Sequence, residues 1–197
     1  MARKKYIHPP VEPMSGGERF KVGVDLLSFD MRDFWSYMYS NILDNIGDLG
    51  EFIVAKALNV KFNKKYGWTL YDIDYGGKRI EVKSTAYFQP WRADGQVSQL
   101  RTFSIRKAHT IEGDMDSPLD RNSDVYVFAL NTGNDAEAAY PLQLEHWRFW
   151  AIKTDTINQM CGDHKTISLK KIKELAKNNN GLTFDQLRNA VDKELGV

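Results

Sequence analysis

Two carboxylates and a lysine lie close together in the stretch Trp68–Thr85, W-T-L-Y-D-I-D-Y-G-G-K-R-I-E-V-K-S-T, at a spacing that could do chemistry. Gly76-Gly77 divides two runs of alternating apolar and polar residues, the pattern of a β-hairpin with a two-residue turn. With the glycines as the turn, Tyr75 faces Lys78, Asp74 faces Arg79, Ile73 faces Ile80, Asp72 faces Glu81, Tyr71 faces Val82 and Leu70 faces Lys83. Side chains alternate between the faces of a sheet. Tyr71, Ile73, Tyr75, Ile80 and Val82 then form an apolar face for packing, and Asp72, Asp74, Arg79, Glu81, Lys83 and Thr85 share the other. Asp74 has Arg79 across from it as a partner. Asp72 and Glu81 have each other, and like charges directly opposed repel unless a cation lies between them. That arrangement is suited to a hard divalent cation such as magnesium, which takes carboxylate oxygens and waters and makes a bound water a better nucleophile at neutral pH.

The helix expected just upstream bears on the same site. Asp48 is read as the cap of a helix, D-L-G-E-F-I-V-A-K-A-L, that ends near Leu58 and is apolar almost all round, which implies burial. Glu51 is its acidic exception. As a first-turn residue Glu51 would favour the helix dipole. As a functional residue it would point into the carboxylate site, and its apolar neighbours favour this second reading.

Asp72, then Glu81-Val82-Lys83, with Glu51 on a preceding helix, resembles the PD-(D/E)XK nuclease superfamily, the restriction-endonuclease-like fold. A longer pattern resembles a bacterial and phage group of such proteins. It comprises Asp33-Phe34-Trp35, residues 47–58, 80–91 and 123–130, Trp147-Arg148-Phe149-Trp150 and residues 165–169. The resemblance implies that Asp72 and Glu81 bind Mg2+, with Mn2+ as a substitute, that Lys83 positions or activates the attacking water, and that Glu51 completes the site. It also implies a DNA endonuclease, and a homodimer where both strands are cut. Two features depart from the family pattern: Tyr71 stands where a proline is usual, and no helix is evident between the third and fourth core strands.

Phosphate contacts require cations. Arg92, Arg101, Arg106 and Lys107 follow the site among Tyr87, Phe88, Trp91 and Phe103, a mixture suited to backbone grip and base stacking. The plainer reading of the same residues is a solvated strand edge. Gln89 projects on the active face if its strand runs straight. A DNA-binding or structural subunit that keeps the fold without catalysis is the alternative to a nuclease; there Asp72, Glu81 and Lys83 would form a salt-bridge network.

The rest of the chain must position these groups. Its 197 residues suffice for one domain with a real core. Residues 1–19, with three prolines and several basic residues, are read as an extended arm, and residues 20–197 as the single domain. Ser28 is read as the cap of a helix over residues 29–43. Leu100–Lys107 reads as an irregular strand and Asp124–Asn131 as a central strand buried on both faces. Trp147–Lys153 is another strand, and helices follow, capped by Ser168 and Thr183 and ending near Lys177 and Leu195. The order of helices, strands and helices predicts an α/β (mixed α+β) fold, and the resemblance makes it a restriction-endonuclease-like mixed sheet flanked by helices.

One cysteine, Cys161, excludes an internal disulfide framework and fits a cytoplasmic location. The basic start runs into Tyr6-Ile7-His8-Pro9-Pro10 rather than an apolar segment, so no signal peptide is expected. No apolar run reaches the roughly 18 residues that would span a membrane. The four histidines lack ligand spacing, and Gly76-Gly77-Lys78 lacks the flanking residues of a phosphate-binding loop.

Overall fold

The computed structural model describes residues 13–61, 69–88, 102–134 and 140–197. Its first elements are strands β1 (Arg19–Val22) and β2 (Asp25–Asp30), an antiparallel hairpin, and helix α1 (Met31–Met38). The helix expected over residues 29–43 is thus shorter and starts later. Ser28 lies inside β2, and Asp30 caps the helix instead. The Asp30 carboxylate accepts from the Arg32 and Asp33 N–H groups while Asp33 accepts from the Asp30 N–H. This reciprocal pair satisfies donors that Ser28, farther upstream, cannot reach. Residues of the expected arm are tied to α1 as well: the Arg32 N–H donates to the Gly16 carbonyl, and the Met31 N–H to that of Glu18. Residues 1–12 lie outside the described residues. No residue of α1 is buried, and Phe20, Val22, Leu26, Phe29, Phe34 and Tyr37 remain exposed.

A 3-10 turn leads into α2 (Ile46–Ala57). Its end agrees with the expectation, but it starts at Ile46, so Asp48 is a first-turn residue and not the cap. Next come β3 (Ile73–Tyr75) and β4 (Lys78–Ala86), joined by Gly76-Gly77. Both glycines have positive φ, 62° and 82°, which the tight turn requires and which glycine adopts without steric cost. The Tyr75–Lys78, Asp74–Arg79 and Ile73–Ile80 pairs form as the sequence predicts.

Short strands β5 (Thr102–Ser104), β6 (Ala108–His109) and β7 (Leu119–Asp120) precede β8 (Val125–Asn131) and β9 (Trp147–Lys153). The chain ends in α3 (Thr154–Cys161), β10 (Thr166–Ser168), α4 (Leu169–Leu175) and α5 (Phe184–Leu195). α3 was not expected: in T-D-T-I-N-Q-M-C the buried apolar positions are Ile157 and Cys161 alone, too narrow a stripe to read as a helix. The Ser168 and Thr183 helices form where expected, the first ending at Leu175.

The main sheet is mixed, in the order β3-β4-β8-β9, with β4 and β8 parallel and the outer pairs antiparallel. Every residue of the expected central strand β8 is buried. One face packs Ile80, Val82, Val125, Val127 and Phe149 against Ile53 and Val54 of α2 and Leu187 and Val191 of α5. The other packs Tyr126, Phe128, Trp150 and Ile152 against Ile157 of α3 and Ile172 of α4. The described part of the β8–β9 connection holds a single 3-10 turn, Leu144–His146, and no α-helix. The chain is therefore a mixed α/β protein with helices on both faces of its sheet.

The approach of α2 to β4 is set by Gly50. A Cβ there would lie 1.8 Å from Ser84 Oγ and 2.7 Å from Ser84 Cβ. The Ser84 hydroxyl is itself buried without a hydrogen-bond partner. Gly50→Ala should lower stability by about 1–3 kcal/mol through overpacking, whereas Ser84→Ala, which removes an unsatisfied buried hydroxyl, should be neutral or stabilising by up to about 1 kcal/mol. Urea unfolding of the two variants measures both signs.

Candidate active site at the open edge of β4

β3 is only three residues long, whereas β4 has nine. Beyond Ile80 the outer edge of β4 therefore loses its β3 partner, and its N–H groups need other acceptors. Asp72 answers this. Its own N–H donates to the Ile80 carbonyl at 3.1 Å, and its Oδ2 accepts from the Val82 N–H at 2.7 Å. Asp72 and Ile73 are thus both set against Ile80, as at a β-bulge. The expected cross-strand pairing of Asp72 with Glu81 is corrected here: the ladder does not continue through Asp72, because its carboxylate takes the place of a backbone acceptor. Asp74 does not take Asp72's place, since it stays opposite Arg79.

Asp74 and Arg79, paired in register, are nevertheless not ion-paired with each other. The Asp74 carboxylate accepts from the Gly77 N–H at 2.8 Å and so closes the turn. Arg79 turns to Asp124, donating through its backbone N–H at 2.7 Å and its guanidinium at 3.3 Å.

Glu81 and Lys83 share one face of β4, and the Lys83 ammonium is ion-paired with Glu81 Oε1. Only about a fifth of the Glu81 side chain and a third of the Lys83 side chain are accessible. Burial pushes the Glu81 carboxyl above its ordinary value, and the charges of Asp72 and, more weakly, Glu51 push it the same way, against Lys83. Burial alone would depress Lys83, but the carboxylates of Glu81, Asp72 and Glu51 outweigh it and hold the ammonium above its usual value. Glu51 therefore belongs electrostatically to the same group. It is partly buried and lies in the second turn of α2, where the pull of the dipole has faded. The dipole reading of Glu51 loses its basis because the helix begins at Ile46.

The carboxylates of Glu81, Asp72 and Glu51 thus all act on the Lys83 ammonium. In the arrangement described, Lys83 occupies the place of a counter-ion at Glu81 while Asp72 is committed to Val82. Accordingly, no three His, Cys, Asp or Glu side chains among the described residues are poised to hold a metal ion.

Of the expected DNA contacts, Gln89, Arg92 and Arg101 lie outside the described residues. Arg106 is exposed. Lys107 pairs with Asp163 at 2.8 Å, so its charge is already matched. Phe103 is buried edge-on against Phe128, at 5.3 Å between centroids, and is not available to stack on a base. Tyr126 was missed by the sequence reading. It is the ladder partner of Glu81, it is buried, and burial together with Glu81 raises its phenol well above the ordinary value. A hydroxyl-bearing residue inside the apolar run Val125–Leu130 was the available signal.

Neither a protein-family model nor a curated protein matches the chain.

Two measurements probe this geometry. Asp72→Ala leaves the Val82 N–H without its acceptor and should cost about 1–3 kcal/mol; Asp72→Asn keeps an acceptor oxygen and should retain most of that stability in the same denaturation experiment. Glu81, with its raised native pKa, contributes stability that is fully present below its ordinary value of 4.5 and is lost as pH rises through the native value. Lys83→Met removes the cation that limits this loss. The variant should be less stable than wild type at pH 7 by about 1–3 kcal/mol, allowing for partial exposure, and the gap should narrow as the pH falls and Glu81 protonates. A gap independent of pH would show that the charges are not coupled.

Proposed function

We propose that this chain is a divalent-metal-dependent phosphodiesterase acting on DNA, with its chemistry at the open edge of β4. The observation that carries the proposal is the gathering of acids at Lys83: among the described residues, the half-buried carboxylates of Glu51, Asp72 and Glu81 all act on its ammonium. Gathering half-buried carboxylates at one place is a costly way to hold a sheet edge together. The same groups carry hard oxygens of the kind magnesium or manganese takes, and binding one ion would require them to draw together from the positions described.

Glu81, Asp72 and Glu51 are the residues that would hold the ion, Glu81 exchanging its bond to Lys83 for the metal. When bound, the ion would polarise the scissile phosphate and lower the pKa of an attacking water. Lys83, released from Glu81 and kept protonated by the surrounding carboxylates, would steady the attacking water and the charge developing on phosphate. Tyr126 is buried beside Glu81 on the neighbouring strand, and charge interactions strengthen where water is kept out. Cutting a duplex on both strands would call for two copies of the chain, the homodimer that the resemblance implies.

A second reading is favoured by a specific observation. Lys83 already closes on Glu81, and Asp72 already serves as a backbone cap, so the same residues could act as a structural network in a catalytically silent DNA-binding subunit.

Divalent ions separate the two. Magnesium at about 100 times its dissociation constant should stabilise a working site by about 2.7 kcal/mol; a silent module should show no melting shift. Incubation of plasmid and single-stranded DNA with magnesium or manganese should give cleavage by wild type, reduced at least about a hundredfold in Glu81→Gln and in Lys83→Ala. Equal cutting by Glu81→Gln and wild type would refute the proposed mechanism.

A further inference from the structure

Away from the carboxylates, a cavity of about 280 Å³ opens at the end of the sheet where β4 and β8 begin and β9 ends. It has room for a phosphate group with several waters, each of which takes about 30 Å³ in the liquid. Four cationic side chains line it, Lys78, Arg79, Arg121 and Lys153, with three carboxylates, Asp120, Asp124 and Asp155. Arg79 and Asp124 neutralise each other. Among the described residues, Lys78, Lys153 and Arg121 have no ion-pair partner, and the four cations lining the space exceed its three lining carboxylates by one, with Lys78 also acting on Asp124 and the Glu194 carboxylate accepting from the Lys153 N–H close by.

Arg121 is the unusual member. It is only 5% exposed, and its guanidinium donates to the carbonyls of Ile105, Gly162 and His164 and to Asn158 Oδ1. Its direct partners are all neutral, and the one carboxylate acting on it from a distance is the exposed Asp163, already paired with Lys107; a guanidinium so buried gains from an anion brought close to it. Two buried hydroxyls, Ser123 and Thr154, bond to each other at 3.3 Å in the same wall. Each hydroxyl retains the capacity to meet an acceptor or donor within the cavity.

We propose that this cavity binds a phosphate group. Arg121 supplies the fixed buried charge, and Lys78 and Lys153 supply mobile ammonium groups at the mouth. The proposal stands apart from the nuclease reading, because it requires neither a metal nor cleavage. A phosphate here could come from free phosphate or from a nucleic-acid backbone. Arg79 stands two residues from Glu81 on the same face of β4, so a nucleic-acid strand crossing the carboxylates could also reach the cavity.

The test uses the full chain and two probes. Inorganic phosphate is titrated into wild type by calorimetry, with sodium chloride at matched ionic strength as the control. The comparison is Lys78→Ala/Lys153→Ala, chosen because Arg121, with its four internal bonds, cannot be removed without risk to the fold. Wild type should bind phosphate and the double variant should bind it at least about fivefold more weakly. No phosphate binding by wild type, or equal binding by both proteins, overturns the proposal. The second probe is a fluorescent single-stranded oligonucleotide in the presence of EDTA, where no cleavage can occur. Weaker retention by a double variant that has also lost phosphate binding assigns the site to a nucleic-acid backbone; unchanged retention by that variant assigns it to free phosphate.

Discussion

The hydrogen bond from the Val82 N–H to the Asp72 carboxylate is the interaction on which the edge of the sheet turns. A long strand beside a short one leaves a row of unpaired donors, and a carboxylate is the strongest acceptor a side chain can bring to one of them. Asp72 accepts that bond, ends the ladder and remains at the edge beside Glu81 and Lys83. The same bond therefore provides a structural terminus and a fixed negative charge. Burial raises the Glu81 pKa most, and this charge, held near it, raises it further.

The two faces of the sheet divide the labour. Val82 and its neighbours press against α2, and Gly50 lets that helix come close enough for Glu51 to act on the edge groups. On the opposite face, β8 and β9 present Tyr126, Phe128, Trp150 and Ile152 to α3 and α4, and Glu81 and Lys83 extend from this side. The site thus lies where two cores meet at an edge, and its residues come from three segments.

Much of this was legible in the sequence wherever a local rule is strong. The Gly76-Gly77 turn, the register of the three pairs beside it, the buried strand β8, β9 and the Ser168 cap all follow from periodicity and turn chemistry. The errors occurred where side-chain bonds compete with periodicity. Helical spacing from Phe29 onward was outweighed by the reciprocal Asp30–Asp33 cap. Alternation through Asp72 was outweighed by the demand of Val82 for an acceptor. The partnership of Arg79 with Asp124 joins residues 45 positions apart, and no local pattern announces it. The grouping of Glu51 with Glu81 and Lys83 was reached through a resemblance and through the oddity of an acid on an apolar helix; its electrostatic content appears only once the helix is docked.

The parallel pairing of β4 with β8 carries a kinetic consequence. A hairpin closes in microseconds, so Gly76-Gly77 can bring Asp72 and Glu81 together early, while both are still fully hydrated. β8 follows β4 only after a crossover from Ala86 to Val125, and such non-local pairing comes late because the loop must close first. Until β8 docks beside it, Glu81 feels the Asp72 charge without the burial that raises its pKa most. The larger part of the altered proton affinity is thus acquired late in folding, and protonation of Glu81 can serve as a clock for the docking of the central strand.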